Sequence, residues 1–145
     1  MKNRRSWKKI KLRIMKTIKH LFALLLISSL VSCGSTAKFP VSNTVPAATI
    51  TAKKQTDSNK NVTLEITARN LAKPDRLNPP GNNYSVWIVT KEAGIKNVGQ
   101  LIIRNVKKST FKTVTPFDFK EVFITVENQG DLRYPTGTEI SRTKI

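Results

Sequence analysis

From residue 47 onward, apolar and polar residues alternate with a period of two, and that alternation confines the chain to β structure. Val62, Leu64, Ile66 and Ala68 alternate with Thr63, Glu65 and Thr67, the pattern of a strand with one face in a core and one in water. Tyr84 to Thr90 (YSVWIVT) is apolar on both faces, as a central strand requires. Further short runs at 47–53, 98–104, 109–114, 122–127 and 138–144 bring the expected count to about seven strands. Gly94, Gly99, Pro116, Gly130, Pro135 and Gly137 punctuate them, and no helical period is sustained after residue 33. The fold class expected is all-β, an antiparallel sandwich over residues 47–145; a small closed barrel would produce nearly the same pattern.

The first part of the chain has a different character. Leu21 to Ser32 (LFALLLISSLVS) is an apolar run ending in small residues, preceded by Lys16 and Lys19. It is the layout of a secretory signal, with a basic region, an apolar region and a small-residue cleavage site. The apolar run of 12 residues would reach about 18 Å as a helix, short of the bilayer core of about 30 Å. Residues 1–32 therefore read as a cleaved signal helix. Met15 to His20 suffices as its basic region, so residues 1–14 read either as sequence upstream of the true start or as an extended basic region. Their charge run resembles a nucleic-acid patch, but it lies on the discarded side of the cleavage point, and no nucleic-acid partner is expected.

The only cysteine follows at once, in Leu30-Val31-Ser32-Cys33-Gly34. This resembles the lipobox of bacterial lipoproteins. The resemblance implies that the Cys33 thiol is acylated, that the chain is cut just before it, and that Cys33 is a lipid attachment site. One acyl chain anchors marginally, whereas two or more anchor stably. The implied location is the bacterial cell envelope, and Gly34, standing where inner-membrane retention usually shows Asp, favours an outer membrane with the domain facing the periplasm. Residues 33–46, Ser/Thr/Pro-rich, read as a lipidated N-terminus and flexible tether that lifts the domain off the membrane.

This division changes the meaning of the charge. The chain carries 26 basic and 9 acidic residues, but nine of the basic ones precede Cys33. Residues 33–145 keep 17 basic residues against 9 acidic ones over 113 residues, one ordinary domain of modest positive charge. Such a balance favours anionic headgroups or glycans at long range without specifying either.

The second half resembles the extracytoplasmic C-terminal domain of anti-sigma-K factors. The residues that carry the resemblance are Tyr84-Ser85-Val86-Trp87-Ile88, Val98-Gly99-Gln100-Leu101, Ile124-Thr125-Val126-Glu127, Gly130-Asp131 and Pro135-Thr136-Gly137. It implies an immunoglobulin-like sandwich. The sigma-binding activity does not carry over, because a lipobox stands where those proteins place a spanning helix. What it implies is the outer module alone, for protein interaction, sensing or structure.

Catalytic candidates are sparse. Residues 33–145 contain no histidine, the usual base at neutral pH and the commonest metal ligand, and no thiol besides Cys33. A Ser-His-Asp arrangement and His/Cys zinc sites are thereby excluded. Asp118 and Glu121 could serve carboxylate chemistry, but they read better as a solvated turn. Asp57, Asn59 and Asn61 faintly resemble a calcium loop that lacks its glycine and closing glutamate. No catalytic residue, cofactor or metal is expected.

Two surfaces remain as candidates for a ligand or partner. Trp87 could stack on a cell-wall glycan, although a tryptophan in a central strand is more often core. The cluster Arg104, Lys107, Lys108 and Lys112 could meet an anionic envelope partner or simply keep an edge soluble. Arg69 to Asn83, with three prolines, is a long connection of undetermined role.

Overall fold

The computed structural model describes residues 34–92 and 94–145. The expected signal helix and Cys33 lie outside the described residues. The described chain forms eight strands: β1 (Gly34–Lys38), β2 (Thr49–Thr56), β3 (Val62–Arg69), β4 (Asn83–Thr90), β5 (Ile95–Gln100), β6 (Ser109–Thr115), β7 (Phe119–Glu127) and β8 (Thr138–Lys144). They pair antiparallel into two four-stranded sheets, ordered β1-β2-β3-β6 and β5-β4-β7-β8. The chain crosses between sheets after β3, β5 and β6, which places β6 beside β3 and β7 beside β4. This is an immunoglobulin-like Greek-key sandwich, not a closed barrel.

Strand alternation builds the core. On β3 the buried positions are Val62, Leu64, Ile66 and Ala68, while Thr63, Glu65 and Thr67 face outward. From the other sheet Tyr84, Val86, Ile88, Val122, Ile124 and Val126 meet them. Each large side chain removed from water in this way contributes about 1.5–3 kcal/mol.

Three expectations need correction. Of the expected tether 33–46, residues 34–46 are not a tether: Gly34–Lys38 is laddered to β2 from Gly34↔Gln55 to Lys38↔Thr51, and Phe39 and Val45 are buried in the core. The first expected strand, 47–53, is instead β2, Thr49–Thr56, which leaves residues 57–61 as the turn to β3. The expected strand 98–104 is shifted to Ile95–Gln100, because Thr90 closes a tight hairpin: its backbone N–H and Oγ1–H both donate to the Gly94 carbonyl.

The long connection 70–82 is built, too. It holds a short 3-10 helix at Pro74–Arg76, buries Leu71 and Gly81, and receives the Tyr84 hydroxyl on the Ala72 carbonyl at 2.8 Å. Burial, with the Asp75 charge adding, pushes the Tyr84 phenol well above its ordinary range. That connection closes one end of the sandwich together with the loops 101–108 and 128–137.

Candidate functional site, a basic groove at one end of the sandwich

The groove begins where β5 stops. Gly99 has φ +131°, and a Cβ there would lie 2.9 Å from the Phe111 ring, so only glycine lets β5 pass this close to β6. Leu101 then turns into the core while its N–H donates to the Tyr84 carbonyl, and Ile102 is left 61% exposed. The loop is held by side chains. Asn105 Oδ1 accepts from the Lys107 N–H, and Ser109 Oγ donates to the Asn105 carbonyl at 2.9 Å.

Arg104, Lys108 and Lys112 line a groove of about 330 Å³ with Gln100, Ile102 and Phe111. A second depression of about 320 Å³ shares Gln100 and Ile102 and is lined on its far side by Lys73, Asp75 and Tyr84. Arg104, Lys107, Lys108 and Lys112 form no ion pair with any described residue. Among the described residues only Lys54, Lys91 and Arg142 are ion-paired, so convergence on one concavity, not lack of a partner, sets these cations apart. By register Glu65 lies opposite Lys112 across β3 and β6, yet it is not within ion-pair distance. Three unneutralised cations around one concavity form an anion-seeking surface, and the aliphatic Ile102 beside them offers apolar contact.

The structure separates the predicted residues. Lys108 lines the groove together with Arg104 and Lys112; Lys107 is exposed on the same loop but points outside that lining. Trp87 is not a platform, because it is 0% exposed. It faces away from the inter-sheet core, stacked on Phe123 at 6.1 Å between ring centroids. The loop 128–137 folds back over this sheet, since Asn97 Nδ2 donates to the carbonyls of Gly130 and Leu132. Gln100, Ile102 and Phe111 were not expected at the site. The exposed Ile102 next to a run of cations was the one signal available.

The carboxylates are engaged elsewhere. Asp118 Oδ1 accepts from Lys54 Nζ at 2.7 Å and its Oδ2 lies 3.3 Å from Lys91 Nζ. Hydrogen bonding to Lys54, then the charges of both lysines, hold this carboxyl below the usual carboxylate range. Glu121 pairs instead with Arg142, at 3.2 Å, and does not line the depression beside Asp118. Asp57 caps its own turn, accepting from the N–H groups of Asn59 and Asn61. Among the described residues no group of three or more His, Cys, Asp or Glu could hold a metal ion. Among them, too, no helix is long and apolar enough to cross a membrane.

Comparison with protein-family models, with curated proteins and with solved structures finds no match.

Proposed function

We propose that this protein is a lipid-anchored module of a bacterial envelope, held by acyl chains on Cys33, whose sandwich binds an anionic envelope partner without catalysis. The observation that carries the reading is the groove: Arg104, Lys108 and Lys112 converge on one concavity, and none has an ion-pair partner among the described residues. Cations left unpaired at a rigid loop retain their full long-range attraction for a polyanion. The partner is an acidic cell-wall glycan or an acidic protein surface, met at the end of the sandwich opposite Gly34. The likeness to the outer domain of anti-sigma-K factors supports an extracytoplasmic interaction or sensing module. Gly34 after the cysteine supports an outer-membrane site facing the periplasm.

The test is titration of the purified protein with acidic cell-wall fragments at low and high salt, beside the triple variant Arg104→Ala, Lys108→Ala, Lys112→Ala. Binding should weaken as salt screens the groove, and the triple variant should lose it. Binding unaffected by salt and by the triple change would overturn the groove reading. Cys33→Ser should abolish lipid attachment; unchanged membrane retention would overturn the anchor.

A further inference from the structure

Gly34 is at once the residue after Cys33 and the first residue of β1, paired across to Gln55. Had residues 34–46 been a tether, they could have extended to about 45 Å; a single peptide link spans about 3.8 Å. The proposed attachment point is therefore one residue from the sheet. We infer that the sandwich is seated directly on the bilayer surface by the end that carries Gly34, with no free tether, an inference that rests on the acylation of Cys33.

Strand register identifies that end. Gly34 lies level with Gln55, next to Thr56↔Val62, and Val62 is opposite Thr115, whence the chain turns through 116–118 into Phe119↔Thr90. The turns 57–61, 91–94 and 116–118 thus share one end with β1. Lys54 and Lys91 bind them together through Asp118.

Of the two exposed aromatic residues among those described, Phe117 is found there and Tyr134 is turned towards it. Phe117, 41% exposed, sits on the turn after β6 with Lys96 Nζ 5.9 Å from its ring centroid. Tyr134, 72% exposed, belongs to the loop 128–137, which starts from the other end but runs back along β5, so that Tyr134 lines a groove of about 600 Å³ with Arg133, Lys96, Gly94 and Ile95. Aromatic rings flanked by Lys and Arg are the side chains that settle at headgroup depth, where the ring is half in hydrocarbon and the cation meets lipid phosphate. Of the acids at this end, Asp118 is already paired with lysines and Asp57 is engaged by backbone N–H groups, leaving Glu92 facing the headgroups. The basic groove lies at the opposite end of β6, about 20 Å away at about 3.4 Å per residue. Seated in this way, the sandwich points the groove away from its own membrane.

The experiment uses protein purified from membranes and placed in phosphatidylethanolamine vesicles containing phosphatidylglycerol, after its intact mass has been measured. Hydroxyl-radical footprinting then compares it with a variant carrying twelve Gly/Ser residues inserted between Cys33 and Gly34. Oxidation of Phe117 and Tyr134 should be several-fold lower in the natural protein than in the long-tether variant, with Ile102 and Val106 alike in both. An acylated mass with Phe117 and Tyr134 equally oxidised in both proteins overturns the seat alone. An unacylated mass overturns the lipid anchor, and the seat with it.

Discussion

Trp87 Nε1 donates to Thr125 Oγ1 at 2.8 Å, and the same hydroxyl donates onward to Glu127 Oε1 at 2.7 Å. Thr136 completes the relay by donating its N–H and its hydroxyl to the Glu127 carboxylate. The buried Glu127 thus holds the returning loop 128–137 over Trp87 with no cation among the described residues within ion-pair distance. Thr125→Val keeps the shape but leaves the indole N–H without its acceptor. A loss of about 1–3 kcal/mol is expected, read as a lower denaturation midpoint with unchanged slope.

Ser85 makes the opposite case on the same strand. Its Oγ is buried with no hydrogen-bond partner among the described residues. Ser85→Ala removes an orphaned polar atom, so it should be neutral or stabilise by up to about 1 kcal/mol. A loss of stability comparable to that of Thr125→Val would reveal an unseen partner for this hydroxyl.

Gly137 and Gly94 should respond very differently to alanine. A Cβ at Gly137 would fall 1.8 Å from the Val126 carbonyl oxygen, against backbone that cannot step aside. At Gly94 nothing lies within 4 Å, and only the φ of +68° opposes a side chain. Gly94→Ala should cost about 1–2 kcal/mol, and Gly137→Ala clearly more. Thermal melts of the two variants, run side by side, test the order.

Asp118 makes stability depend on acid. Its folded-state pKa is below its unfolded value, so its contribution is complete above the unfolded pKa and fades as pH falls through the lower folded one. Because the carboxylate is largely in solvent, the effect is small. The gap in stability between the natural protein and Asp118→Asn should be present at neutral pH and close as pH falls below the ordinary aspartate range. A gap that widened on acidification would have the wrong sign and would contradict this pairing.

Trp87 is the only tryptophan after Cys33, which makes it a reporter. Being 0% exposed, it should emit at short wavelength and resist aqueous quenchers. Saturating the groove with a polyanion should leave that emission unchanged. A large shift on binding would place the ligand near β4 rather than at Arg104.

Much of the sandwich could be read from local pattern. Thr63, Glu65 and Thr67 alternate with Val62, Leu64 and Ile66 because one face of β3 meets the core and the other meets water. The basic run around Lys108 was visible as a concentration of charge, but its lack of ion pairs was not, since a cation such as Lys54 can find its partner, Asp118, far along the chain. β1 was not visible: Gly34–Lys38 is an edge strand, half-buried at Ala37 and exposed at its other positions, so its sequence carries no alternation to detect. Only its hydrogen bonds to β2 make it a strand.

The sequence by itself determined the β class and the stretches dense in positive charge, because period and composition are local properties. Tertiary structure alone decided that Trp87 is roofed by a loop that begins some forty residues later, that Arg104, Lys108 and Lys112 share a wall while Lys107 does not, and that Gly34 begins a strand. These depend on pairing between segments remote in the chain, and such pairing is set by packing and backbone hydrogen bonding across the whole domain rather than by any one stretch of residues.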